Sequence, residues 1–115
     1  MTARGRFLWF EYMTPDPEAA RAFYCDVVGW SLVPFDESDD PYMMFAVDGV
    51  TVGGVRALPP GVEAPPHWLA YFGTDDLDAT LAQAVGLGGA VLMPAMAMPG
   101  VGRFATLRDP HGAVF

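Results

Sequence analysis

The chain aligns with itself at an offset of 60 residues, and this duplication limits the possible folds more than any other feature. The offset places Thr14 on Thr74, Asp16 on Asp76, Ala19 on Ala79, Ala22 on Ala82, Gly29 on Gly89, Leu32 on Leu92 and Pro34 on Pro94, with no gap from Leu8 to Pro34. The matches fall on residue types that backbone geometry selects, the caps and turns that start and stop elements. A chain of 115 residues therefore reads as two near-copies of one unit. Each copy alone is close to the lower size limit for independent folding, so the two are expected to share a core or a seam within one domain.

Both copies follow the same order. Phe7 to Met13 and Trp68 to Phe72 are short aromatic and apolar runs suited to strands. A helix follows each. Asp16 is placed as an N-cap with Pro17 at the first helical position, Ala20, Phe23, Tyr24 and Val27 form an apolar face, and Gly29 stops the helix. The second helix starts at Asp76, carries Leu77, Leu81, Ala84 and Val85 on one face, and ends at Gly88-Gly89. Strands are then expected at Trp30 to Phe35, Tyr42 to Val47 and Val50 to Leu58, with Asp48-Gly49 as a hairpin turn. In the second copy they are expected at Ala90 to Met93 and Arg103 to Arg108, with a loop from Ala95 to Gly102 that holds Met96 and Met98. After the turn Asp109-Pro110-His111-Gly112 only Ala113, Val114 and Phe115 remain, so the last strand of the second unit is expected to be short, a complete unit running several residues further. The reading is an α+β fold of two tandem βαβββ modules, 1–58 and 67–115, joined by a stiff proline-rich linker at 59–66.

Composition narrows the function classes. Fourteen carboxylates against six basic groups give a net charge of −8, which disfavours binding to nucleic acid phosphates and mildly favours a cationic ligand. At 52% hydrophobic residues the chain has enough apolar material for a core. All basic residues are arginine, and lysine, asparagine and isoleucine are absent, which points to a GC-rich, bacterial coding sequence. A single cysteine, Cys25, excludes an internal disulfide and reads as a structural thiol. The N-terminus has no secretory core, so a cytoplasmic location is expected. Ala79 to Gly102 is uncharged, but Gly86, Gly88, Gly89, Pro94 and Pro99 would break a spanning helix, so no membrane segment is expected.

Strand alternation then sorts the side chains. In the first strand Leu8, Phe10 and Tyr12 point one way and Trp9, Glu11 and Met13 the other. In the matching strand Trp68, Ala70 and Phe72 share one face and His67, Leu69 and Tyr71 the opposite one. The purely apolar faces are expected to pack on the helices. The faces with an ionisable group, carrying Trp9, Glu11, Met13, His67, Leu69 and Tyr71, have the composition of a small-molecule pocket.

The run Phe10-Glu11-Tyr12-Met13-Thr14-Pro15-Asp16-Pro17-Glu18-Ala19-Ala20-Arg21-Ala22-Phe23-Tyr24, closing on Val28-Gly29-Trp30, resembles the vicinal oxygen chelate superfamily, which includes glyoxalase I, extradiol dioxygenases and bleomycin-resistance proteins. Asp75-Asp76-Leu77-Asp78-Ala79, Leu87-Gly88-Gly89, Pro99-Gly100-Val101-Gly102-Arg103-Phe104 and Asp109-Pro110-His111-Gly112 resemble its second module. The resemblance implies a pair of modules whose sheets curl into an open cup, commonly in a homodimer. It also implies, for metal-dependent members, one ligand from the first and one from the last strand of each module. By position these fall on Trp9 and Leu69, near Gly53, and beyond Phe115. Neither Trp9 nor Leu69 offers a donor for a divalent ion, so no metal ligands are assigned and no cofactor is expected.

Two functional expectations follow. The first is a metal-free protein that binds a small aromatic or cationic organic molecule through Trp9, Met13, Leu69 and Tyr71, by sequestration as in bleomycin-resistance proteins. The second, the alternative, is a lyase, isomerase or dioxygenase of the glyoxalase type with a divalent metal on non-standard ligands. In either case Glu11 and His67 are the candidate catalytic pair, a carboxylate positioned to orient or tune an imidazole.

Overall fold

The computed structural model describes residues 3–115. Its elements run β1 (Phe7–Thr14), α1 (Pro17–Val28), β2 (Ser31–Pro34), β3 (Met43–Val47), β4 (Val50–Ala57), β5 (His67–Phe72), α2 (Leu77–Gly86), β6 (Ala90–Met98) and β7 (Gly102–Arg108). The duplicated sequence folds into duplicated local structure. Asp16 caps α1 by accepting from the Ala19 amide at 3.1 Å, and Asp76 caps α2 by accepting from the Ala79 amide at 3.0 Å. One residue upstream of each proline or aspartate turn, the Thr14 and Thr74 hydroxyls accept from the Asp16 and Asp76 amides, both at 3.2 Å. Each cap thus satisfies amides that a helix start would otherwise leave without partners. The two helices end differently. Gly29 closes α1 in the left-handed conformation, with φ of 83° and its amide bonded to the Cys25 carbonyl. In the second copy the helix stops earlier, capped at Leu87.

The chain divides into two compact units, Trp9–Tyr71 and Met1–Leu8 with Phe72–Phe115. In the first, a five-stranded sheet has the order β2-β3-β4-β1-β5. β1 and β4 are parallel, with Glu11 opposite Gly54 and Met13 opposite Arg56, whereas β2-β3 and β3-β4 are antiparallel. The mixed sheet with a helix crossing between its strands is the expected α+β architecture. Because β5 joins this sheet beside β1, most of β5 belongs to the first compact unit, so the units do not part at the proline-rich linker. That linker leaves β4 through a hydrogen bond from the Leu58 amide to the Thr14 carbonyl and makes a turn closed by the Val62 amide on the Pro59 carbonyl.

The apolar face of β1 packs on α1, as alternation requires. Tyr12 meets Tyr24 at 5.2 Å and Trp68 at 4.9 Å between ring centroids, and Tyr24 meets Trp68 at 5.3 Å. Trp30 stacks beside Tyr24 and lies 4.8 Å from Phe45, the fully buried side chain at the centre of this aromatic cluster. The expected apolar stripe of α1 is only partly used: Tyr24 packs inward, while Phe23 and Val27 are exposed.

In the second unit β6 and β7 form an antiparallel pair. Here the structure corrects the sequence reading. Met96 and Met98 lie in β6, paired with Phe104 and Gly102, not in a loop. Pro94 suggested an interruption, but it sits within a register shift between Met93 and Met96, where its missing amide donor removes no ladder bond. The short last segment does pair: Leu107 and Phe115 exchange amide-carbonyl bonds of 2.8 and 2.9 Å. Arg103 reaches Asp78 with two hydrogen bonds, of 3.1 and 3.0 Å, tying β7 to α2. Among the described residues no helix is long and apolar enough to cross a membrane.

Candidate functional site

The other face of the five-stranded sheet carries the ionisable group that alternation placed there. Glu11 is 3% exposed in the middle of β1. It is flanked along the strand by half-buried Trp9 and buried Met13. A carboxylate at this depth requires partners, and the parallel pairing of β1 with β4 supplies one. Arg56 stands two residues beyond Gly54, the residue opposite Glu11, so its side chain emerges on the same face. Its Nε pairs with Glu11 Oε1 at 3.1 Å. Tyr42, just before β3, provides the second partner by donating its hydroxyl to Glu11 Oε2. Trp9 Nε1 in turn donates to the Tyr42 hydroxyl oxygen at 3.0 Å, and the Arg56 guanidinium lies over the Tyr42 ring, 5.5 Å from its centroid.

Gly54 makes this arrangement possible. A Cβ built on it would lie 1.5 Å from the Tyr42 hydroxyl oxygen and 2.6 Å from Glu11 Oε2. The space that a side chain would take is filled by the hydroxyl and the carboxylate, so the absence of a Cβ, not backbone freedom, selects glycine here.

Burial pushes the Glu11 carboxyl above its ordinary value of 4.5, opposed by the Tyr42 hydrogen bond, the Arg56 charge and the Trp9 N–H. Burial and then the neighbouring Glu11 carboxylate push the Tyr42 hydroxyl far upward, so it remains a donor. Tyr71, half-buried on β5, is raised first by burial and then by the Glu11 charge, with Arg56 opposing, which places its hydroxyl within electrostatic reach of the pair. Leu69, on the same face of β5, is 5% exposed and supplies an apolar surface.

His67 takes a different place. Its Nδ1 lies 2.8 Å from the Pro65 carbonyl oxygen, to which a protonated Nδ1 donates. The expected Glu11-His67 pair is therefore not assembled: the carboxylate oxygens are engaged by Tyr42 and Arg56, and the imidazole turns back on the linker that precedes it. The residues that sequence reasoning missed are Tyr42, Gly54 and Arg56. Extending strand alternation to β4 finds Gly54 and Arg56, since a βαβ crossover makes β1 and β4 parallel neighbours. No comparable signal marks Tyr42, which lies at the end of an acidic loop.

The position near Gly53 that the resemblance assigns to a metal ligand offers no donor side chain, and the adjacent Gly54 is roofed by Tyr42 and Glu11. Among the described residues no three His, Cys, Asp or Glu side chains come together in a group able to hold a metal ion. Glu11, the one carboxylate on this face of β1, already faces a guanidinium. These residues do not fit a divalent ion.

The family model described as "Glyoxalase/Bleomycin resistance protein/Dioxygenase superfamily" matches residues 6–115. The protein named "Putative glyoxylase CFP32" of Mycobacterium tuberculosis is 42% identical over 113 residues, covering 96% of this chain and 42% of its own length. The Streptomyces peucetius protein named "Anthracycline biosynthesis protein DnrV" is 35% identical over 127 residues, covering 98% of this chain and 46% of its own. The chain thus spans less than half the length of these curated relatives. Among solved structures, methylmalonyl-CoA epimerase of Streptomyces coelicolor is similar in fold, with a TM-score of 0.58, 22% identity, and coverage of 96% of this chain and 91% of that one. With the family match extending over nearly the whole chain, this protein belongs to the glyoxalase/bleomycin resistance protein/dioxygenase superfamily.

Proposed function

We propose that this chain binds a small, planar organic molecule on the sheet face formed by Trp9, Glu11, Met13, Leu69 and Tyr71, holding it by contact as bleomycin-resistance proteins do. The observation that carries this reading is the Glu11-Tyr42-Arg56 network, a fixed polar cluster on a face otherwise lined by buried Met13 and Leu69 and half-buried aromatics. Apolar walls with a few oriented polar groups are what a small-molecule site requires. A relative named for anthracycline biosynthesis supports a polycyclic aromatic ligand class. His67, at the start of β5, stands at the margin of this face and is not needed for the contact reading.

The cationic ligand expected from net charge finds less support at this site, because both Glu11 oxygens are engaged. Titration of the intact chain with an anthracycline, followed by ligand fluorescence, tests the proposal. Saturable one-to-one binding is expected, weakened about two- to twelvefold in Trp9→Ala, the loss of one aromatic contact of about 0.5–1.5 kcal/mol. Absence of saturable binding across planar aromatics of varied charge would refute it.

A further inference from the structure

The Glu11-Arg56 pair is asymmetric. The Glu11 side chain is 4% exposed and that of Arg56 38%, so the carboxylate lies inside and the guanidinium extends outward from it. Arg56 uses its Nε on Glu11 and stacks over Tyr42. The closest approach of the pair is through Nε, and 38% of the Arg56 side chain stays exposed. The head is thus held through Nε and over its face, on a side chain that remains partly open to solvent. A guanidinium held in this way is suited to a planar oxyanion: it offers two N–H donors in a fork that matches a carboxylate, and its orientation is set before a ligand arrives. Tyr71 adds a hydroxyl within electrostatic reach of the same charges.

Resting on the reading that this face binds a planar organic molecule, we infer that Arg56 is its specificity-determining residue, receiving a carboxylate or comparable delocalised oxyanion of the ligand on its outer edge, with Glu11 as the positioning residue that holds the guanidinium in place. The net charge of −8 does not oppose this. Long-range repulsion is screened over about 8 Å at physiological ionic strength, whereas the Arg56 contact acts at hydrogen-bond distance. The global charge instead disfavours loosely held anions, so that affinity depends on the fork itself.

Two probes with the same ring system, anthraquinone-2-carboxylate and its neutral carboxamide, separate the claims. Wild-type protein is expected to bind the carboxylate at least about tenfold more tightly, the worth of a charge-assisted pair. The ratio of the two affinities is the readout, because general structural damage weakens both ligands alike. In Glu11→Gln/Arg56→Met, which removes the pair together and leaves no buried charge, the ratio should fall to about one. In Arg56→Lys, which keeps the charge but loses the fork, it should fall several-fold, and in Glu11→Gln, which releases the guanidinium from its inner partner, the ratio should fall as well. Equal binding of both probes by the wild type overturns the role of Arg56 and leaves the aromatic site standing. A carboxylate preference that persists in the double variant or in Arg56→Lys also overturns it. Failure of both probes to bind overturns the inference together with the site on which it rests.

Discussion

Replacing Arg56 with methionine removes the charge but keeps much of the apolar stem, leaving Glu11 buried without its cation. Breaking a buried ion pair from one side costs about 3–5 kcal/mol. Arg56 is 38% exposed along its side chain, so solvent already screens part of the attraction, and about 1–3 kcal/mol at neutral pH is the better expectation. The pH dependence is more diagnostic than the size. The folded Glu11 carboxyl already titrates above its ordinary 4.5 because burial outweighs its partners, and Arg56 is one of the groups restraining that rise. Without Arg56 the folded value climbs further. A carboxyl raised in the folded state holds its proton where the unfolded chain has lost it. Its contribution therefore favours folding below 4.5 and falls as pH rises from 4.5 through the raised folded value, by at most about 1.4 kcal/mol per pH unit. The destabilisation by Arg56→Met should accordingly be small near pH 4.5 and larger by about 1 kcal/mol or more at pH 8. Urea unfolding of wild type and variant at both pH values measures it, with Glu11→Gln/Arg56→Met as the control that removes the extra pH dependence. An equal loss at both pH values, within about 0.3 kcal/mol of extrapolation error, would refute the account of Glu11 as a buried carboxylate dependent on Arg56.

Gly54→Ala drives a methyl group into the Tyr42 hydroxyl and the Glu11 carboxylate, and should cost about 3 kcal/mol from overpacking and lost hydrogen bonds; combined with Tyr42→Phe, chemical denaturation should show a non-additive coupling of about 1 kcal/mol or more. Phe45→Ala empties the centre of the aromatic cluster, where the side chain is 0% exposed, and should lower stability by about 3–5 kcal/mol in thermal or urea unfolding. Asp16→Ala and Asp76→Ala remove equivalent caps and should each cost about 1 kcal/mol, a match that urea denaturation of the two variants checks directly.

Much of the local structure is legible in the residues alone because it is decided within a few positions. Asp16 and Asp76 cap helices through amides three residues away, Gly29 ends α1 by its own backbone, and period-two alternation assigns Tyr12 and Glu11 to opposite faces. The duplication at an offset of 60 strengthens the cap readings by stating them twice, whereas the helix stop is not repeated, α2 being capped at Leu87. Met96 and Met98 escape the same logic, since whether a proline fits inside a strand depends on an edge or a bulge in the pairing, here the register shift between Met93 and Met96, and that is a property of the pair.

The site depends on contacts that sequence spacing does not encode. Sequence determined that a carboxylate at Glu11 would face away from the helices, beside Trp9 and Met13. Only the tertiary structure decided what meets it: Arg56 from a parallel strand 45 positions away, Tyr42 from the end of a loop, and a glycine at 54 whose missing Cβ leaves room for both hydroxyl and carboxylate. The His67 imidazole bonds instead to the Pro65 carbonyl two residues away. Strand alternation fixes which way a side chain points, but the partner across a sheet is set by which strands lie side by side and in what register. For a buried charge that partner decides the chemistry, because desolvation makes an unpaired carboxylate too costly to keep.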